Sequence, residues 1–110
     1  MEVKRGAVVV VAAKGPYTGK PRPAVVVQDA VFNDTHASIT LCPVTSDTID
    51  APLFRVALHA GSRTGLTSAS QVMVDKIVSV PREAIGKTIG HCSSVEMDGI
   101  DDALRRWLGL

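Results

Sequence analysis

Polar side chains stand at the edges of several apolar runs, where they could act on a phosphate ester. Arg22 lies between two prolines at the start of a valine-rich run, which stiffens its backbone and aims its side chain. Thr45 and Ser46 follow a second apolar run, and Asp75 interrupts a third. A guanidinium binds phosphate oxygens, a hydroxyl donates to them, and a carboxylate accepts a proton. Taken singly, Thr45 is equally typical of a turn residue and Asp75 of a cross-strand ion pair.

The segment between the first two predicted strands is basic and rich in glycine and proline. It carries Lys14, Lys20 and Arg22 together with Tyr17, and within residues 1–28 five cations face one acid. Such a loop can bind phosphates while the tyrosine ring stacks on a base. The same composition is also typical of a solvated hairpin loop. A phosphate-binding P-loop is excluded, because the spacing is short and a proline replaces the magnesium-binding hydroxyl.

Length and composition limit the class of protein. The 110 residues suit one domain spanning residues 1–110, and 45% hydrophobic residues are enough for a packed core. Twelve Lys and Arg against eleven Asp and Glu exclude a protein that holds nucleic acid by bulk charge. No apolar run is long enough to cross a membrane, and the N-terminus lacks the order of a cleaved signal. Cys42 and Cys92 predict two half-buried thiols in a reducing cytoplasm, and neither they nor the histidines have metal-ligand spacing.

Strand signals dominate the first three quarters of the chain. Valine-rich or alternating runs predict five strands, at residues 6–13, 23–28, 38–44, 54–58 and 71–80. Their spacing favours a small antiparallel barrel or sandwich and not a βαβ fold. A short helical turn is expected at residues 81–84. Ser93 and Glu96 then form a capping-box signal, and apolar residues recur at helical spacing until Gly109.

Taken in order along the chain, these segments resemble the MazF/PemK family of toxin–antitoxin ribonucleases, which includes the Kid toxin. The matching segments lie at residues 4–6, 19–28, 32–33, 43–46, 65–66 with Ser70, 74–77 and 89–90, followed by the final helix. The similarity covers nearly the whole chain. The resemblance implies a small SH3-like antiparallel β-barrel, closed by a C-terminal helix and assembled as a homodimer in the cytoplasm.

The resemblance also implies an activity. Toxins of this family cleave single-stranded RNA, with messenger RNA as the expected target, at short sequences and without a metal or other cofactor. Attack by the ribose 2′-hydroxyl gives a 2′,3′-cyclic phosphate and a 5′-hydroxyl. A separate antitoxin protein is the implied partner.

Roles for individual residues follow from the matching motifs. Arg22 resembles the catalytic arginine of the family, Thr45 the active-site threonine, and Asp75 the strand aspartate that some members use as a general base. Ser46 follows the threonine in those same members. Together with the basic loop residues Lys14, Tyr17 and Lys20, Ser46 is expected to bind substrate.

The chain departs from the family pattern at Met73, where several relatives carry an arginine. Either Arg22 acts without that second arginine, or Asp75 is not the base and Arg22 and Thr45 form the reacting core.

Two other functions fit parts of the sequence. A gyrase poison of the CcdB type would share the barrel and would act through the C-terminal residues 107–110, which begin with Trp107. Trp107 also continues the apolar stripe of the predicted helix, which favours packing as its role. An SH3-like peptide-binding module is the third function, but the 4% aromatic content is low for such a surface.

Overall fold

In the part of the chain that the structure describes, seven strands are followed by one α-helix. The computed structural model describes residues 3–12 and 20–110. The strands are β1 (Ala7–Val11), β2 (Arg22–Val26), β3 (Ser38–Thr45), β4 (Arg55–Leu58), β5 (Ser70–Met73), β6 (Val78–Pro81) and β7 (Ile85–His91), and helix α1 spans Ser94–Leu108. Short 3₁₀ turns lie at Ala30–Phe32, Val74–Lys76 and Arg82–Ala84. None of the helices in the described part of the chain has the length and apolar character needed to span a membrane.

The strands form one antiparallel sheet in the order β4-β5-β3-β2-β1-β7, and β6 pairs with β3 beside this path. The prediction of a mainly β fold with a C-terminal helix is confirmed. Among the described residues the path of strands is open, with β4 at one end and β7 at the other. The closed barrel that the resemblance implies is therefore not seen in this pairing.

The sheet is apolar on both faces, because neighbouring valines of one strand point to opposite sides. One core cluster joins strand residues such as Val8, Val25 and Cys42 to Ile100 and Ala103 of helix α1. The second cluster contains no helix residue and consists of Val3, Ala7, Val9, Ala24, Val26, Ile39, Leu41 and Ile85. Along each strand, the side chains that alternate with the helix-facing ones therefore lie on the face opposite α1.

The single strand predicted at residues 71–80 is wrong. β5 ends at Met73, a 3₁₀ turn follows at Val74–Lys76, and β6 begins at Val78. β5 pairs with the end of β3 and β6 with its first half, in registers that differ by three residues. The three-residue turn absorbs this difference, so Asp75 lies in a turn and not within a strand.

Helix α1 begins and ends as predicted. The Ser93 hydroxyl accepts a hydrogen bond from the Glu96 N–H, and the Glu96 carboxylate accepts one from the Ser93 N–H. Gly109 ends the helix with a left-handed φ of 72°. Arg63 donates two hydrogen bonds to Glu96, at 2.7 and 3.1 Å, and so ties the β4–β5 connection to the first turn of the helix.

Candidate active site

Strand register brings Arg22 and Thr45 to neighbouring positions. Arg22 is the first residue of β2 and Thr45 the last residue of β3. Ala24 pairs with Pro43, and the same register carried two residues further sets Arg22 across from Thr45. Residues across from each other in an antiparallel pair point to the same face, with Cβ atoms about 5 Å apart. The two side chains therefore share one surface, on the face opposite helix α1.

Both groups have donors to offer a ligand. The Arg22 side chain is exposed, and none of the described residues forms a hydrogen bond or ion pair with its guanidinium. Thr45 Oγ1 accepts a hydrogen bond from the Asp47 N–H at 3.0 Å. This is the turn contact that the sequence allowed, and it leaves the hydroxyl proton of Thr45 free to be donated. A guanidinium and a hydroxyl donor side by side can bind two oxygens of one phosphate.

The loop after β3 is held against the sheet by Gln71, which the sequence did not single out. Gln71 pairs with Thr45 in the ladder between β3 and β5. Its side-chain amide donates to the Ile49 carbonyl at 2.8 Å and accepts from the Ile49 N–H at 3.1 Å. The exposed Ser46 is the middle residue of the Thr45–Asp47 turn, three residues before this anchor. A glutamine in an apolar strand gives no sequence signal for such a contact, which depends on strand pairing.

Asp75 faces a cation that sequence reasoning missed. Its Oδ1 lies 3.4 Å from Nε of Arg55, and the two side chains are only 17% and 10% exposed. Arg55 stands on β4 directly across from Met73. A cross-strand ion pair was one of the two interpretations of Asp75, and the partner comes from the strand next to β5.

The remaining predicted substrate-binding residues lie on the basic loop. Lys20 is exposed just before β2. Lys14 and Tyr17 lie outside the described residues. A shallow apolar cavity of about 190 Å³ lies beside Arg22 and is lined by Leu41, Pro43 and Val78 among others. Arg22 thus borders an apolar surface.

A larger cavity among the described residues lies elsewhere. It measures about 710 Å³ and is lined by residues of β1, β7 and the start of helix α1, including Arg5, His91 and Ser93. Arg5 is paired with Asp101, and Ser93 caps the helix. Both polar groups already have structural partners, so we place the candidate site at the Arg22–Thr45 surface.

The two cysteines are buried. Burial raises the pKa of Cys42 to about 12 and that of Cys92 to about 11. Both thiols are therefore neutral at physiological pH, and a neutral thiol is a poor nucleophile. They are more buried than the half-buried thiols predicted from the sequence.

Comparison with known proteins gives consistent matches. The family model described as PemK-like, MazF-like toxin of type II toxin–antitoxin system matches residues 4–108. The chain is 40% identical over 108 residues to the probable endoribonuclease MazF of Mycolicibacterium smegmatis, covering 98% of each protein. It is 34% identical over 103 residues to endoribonuclease MazF9 of Mycobacterium tuberculosis, covering 89% of this chain and 86% of that protein.

A solved structure shares the fold. An endoribonuclease in complex with its cognate antitoxin, from a mycobacterial species, superposes with a TM-score of 0.81 at 25% sequence identity. The superposition covers 98% of this chain and 96% of that chain. The two sequence relatives and this structural neighbour are all named as endoribonucleases.

Proposed function

The chain belongs to the PemK-like, MazF-like toxins of type II toxin–antitoxin systems, and we propose on this premise that it cleaves single-stranded RNA at short sequences. The observation that carries the proposal is the placement of Arg22 and Thr45 on one surface of the sheet. The gyrase-poison alternative is not favoured, because the two relatives are named as endoribonucleases.

The proposed reaction needs only the RNA, the site and water. The ribose 2′-oxygen forms a bond to phosphorus as its proton passes to water, and the bond from phosphorus to the 5′-oxygen breaks as that oxygen takes up a proton from water. Arg22 places its planar donors on the phosphate and stabilises the negative charge of the transition state. Thr45 donates its hydroxyl proton to a phosphate oxygen. The products are a 2′,3′-cyclic phosphate and a 5′-hydroxyl, and we propose that no metal takes part.

Asp75 has two proposed roles that exclude each other. As a general base it would take the 2′-proton, as the family motif implies. The ion pair with Arg55 supports the other role, in which the carboxylate holds a guanidinium in place. We propose the second role, with Arg22 and Thr45 as the reacting core.

Substrate binding is assigned to the groups around this core. Lys14, Lys20 and Tyr17 of the basic loop are proposed to contact the RNA backbone and one base, and Ser46 to contact the strand near Thr45. Support comes from the exposure of Lys20 and Ser46 and from the anchored loop that carries Ser46.

We further propose that residues 1–110 act as one toxin domain that assembles as a homodimer and is inhibited by a separate antitoxin. The family match over residues 4–108 supports the single domain. The bent sheet, in which β3 pairs with three strands, supports a relationship to the SH3-like barrel of the family. A solution mass of twice 11.6 kDa would support the dimer, and a mass of 11.6 kDa would contradict it.

The test is cleavage of a long single-stranded RNA by purified, antitoxin-free protein in EDTA, with breaks mapped by primer extension. We expect discrete breaks with the wild-type protein and none with Arg22→Ala. A folded Arg22→Ala variant that cuts at the same positions and rate would contradict the assignment of Arg22. An intact RNA with folded wild-type protein would contradict the proposed function.

A further inference from the structure

Arg55 is a nearly buried cation whose hydrogen-bonding capacity is unused. Its side chain is 10% exposed, and its ion pair with Asp75 joins Nε to Oδ1 at 3.4 Å without the geometry of a hydrogen bond. A guanidinium carries five N–H donors. No hydrogen bond to any described residue uses them.

The unused donors of Arg55 differ in their exposure to solvent. Nε of Arg55 and Oδ1 of Asp75 are both sealed from solvent, whereas neither Nη atom of Arg55 is among the sealed, unpaired atoms. Asp75 thus neutralises the inner side of the guanidinium while its outer fork reaches the surface. Buried donors are usually paired, because leaving them unpaired costs free energy. A surface fork without a protein partner therefore indicates a ligand that supplies acceptors.

Strand register places this fork on the same surface as the candidate active site. Arg55 pairs with Met73, which lies two residues along β5 from Gln71, the partner of Thr45. The neighbours Phe54 and Val56 face helix α1, since Phe54 contacts Trp107 and Val56 packs on the helix-side core. Arg55 therefore points to the opposite face, with its Cα on the order of 12 Å from that of Thr45, judged from the usual strand spacing and rise.

We propose that Arg55, held by Asp75, binds an RNA phosphate beside the one that Arg22 and Thr45 act on. This inference rests on the proposed ribonuclease function. The planar fork of an arginine matches two oxygens of a phosphate, and one surface carries both guanidinium groups. Asp75 is then a positioning residue that keeps Arg55 oriented and balances its charge while substrate is absent.

The inference is tested by binding of a fluorescently labelled, fully 2′-O-methylated RNA, which carries the mapped cleavage sequence and lacks the attacking hydroxyl. Fluorescence anisotropy gives its affinity for the full chain over a range of salt concentrations. Two variants isolate the guanidinium: Asp75→Asn, and Asp75→Asn combined with Arg55→Gln. Both variants lack the Asp75 carboxylate, so removing the Arg55 guanidinium does not leave that carboxylate unpaired.

We expect the double variant to bind RNA about tenfold or more weakly than Asp75→Asn, with a salt dependence lower by about one counterion. Arg105→Gln serves as the matched control, because Arg105 is an exposed helix arginine paired with Asp102. It should bind RNA as the wild type does. Equal affinity and equal salt dependence of the Asp75→Asn and double variants would overturn the inference.

A further variant, Arg55→Lys, tests the inference if the double variant does not fold. Arg55→Lys keeps the charge and removes the fork, so it should lose affinity while retaining the salt dependence; wild-type affinity would overturn the inference. Failure of the wild-type protein to bind or cut RNA would instead count against the proposed function. A different result is that every Arg55 variant binds RNA as the wild type does and binds the antitoxin more weakly. That result would show that the Arg55 fork binds a carboxylate of the antitoxin, and it would overturn the inference.

Discussion

At the scale of single residues, the site depends on groups that keep unused donors at the protein surface. The Arg22 guanidinium has no partner among the described residues, and Thr45 accepts a hydrogen bond but keeps its proton. Asp75 differs, since its carboxylate already faces Arg55. The chemistry we assign follows this division between unpaired donors and a paired acid.

The role of Asp75 can be decided by kinetics. If Asp75 positions Arg55, Asp75→Asn should raise KM for RNA and lower kcat less than about tenfold, because loss of a general base costs about 10²–10⁴-fold. The acid limb of the pH–kcat profile should also persist in the variant. A kcat loss of the larger size, together with disappearance of that limb, would instead identify Asp75 as the base.

The sequence identifies the site only in part. Arg22 and Thr45 stand in motifs that can be recognised, and the register of β2 and β3 brings them together. Arg55 and Gln71 could not be predicted, because their roles depend on which residues lie across from them on the neighbouring strand. The sequence did not predict that Asp75 lies in a turn. The turn at Val74–Lys76 joins two strands that pair with β3 in different registers, and those registers have no local sequence signal.

At the scale of elements, two glycines allow a close approach between strand β7 and the segment before β5. A Cβ on Gly90 would lie 2.3 Å from the Arg63 carbonyl oxygen, and one on Gly65 would lie 2.1 Å from the Ile89 carbonyl oxygen. Such distances are possible only without side chains. The close approach requires glycine within β7, and glycine and lysine are depleted in strands. The composition of β7 therefore does not predict a strand, which is defined only by its pairing with β1.

We predict that Gly90→Ala lowers the free energy of unfolding by about 1–3 kcal/mol, because the backbone must move to admit the methyl group. Thermal unfolding should show a loss of about 4–8 °C for each kcal/mol. Gly99→Ala is the matched control, because Gly99 lies within helix α1 and its added Cβ would meet Val56 of β4 at an ordinary 3.5 Å. That change should raise stability, as alanine is favoured over glycine in helices. Equal Tm values for the two variants would contradict the account.

The first turn of helix α1 predicts a pH dependence. Hydrogen bonds from Arg63 hold the pKa of Glu96 below its ordinary value of 4.5, although burial opposes the shift. Because the folded pKa lies below the unfolded one, the stabilisation is complete above the ordinary value and is lost as the pH falls through the folded value.

Glu96→Gln should therefore lower the urea midpoint at neutral pH, and the difference from wild type should shrink as the pH falls below 4.5. The control is Asp102→Asn, which removes an exposed carboxylate paired with Arg105 on the same helix and should change the midpoint little at either pH. A Glu96→Gln deficit that stays constant with pH would show that the charge plays no part.

At the scale of the whole molecule, a chain with a net charge of +1 must bind RNA through local features. The sheet provides them, because its face opposite helix α1 carries Arg22, Thr45 and Arg55. The mainly β class and the helix limits follow from the sequence through valine-rich runs and the Ser93–Glu96 cap. The open order of strands does not, since long-range pairing leaves no local signal.

The central claim is that this face cleaves RNA by attack of the 2′-hydroxyl. The most direct measurement compares a short RNA containing the mapped cleavage sequence with the same RNA carrying one 2′-deoxynucleotide just 5′ of the scissile phosphate. We predict a 2′,3′-cyclic phosphate and a 5′-hydroxyl from the first RNA and no cleavage of the second. Cleavage of the deoxy-substituted RNA at that position, or products with a 5′-phosphate, would contradict the account.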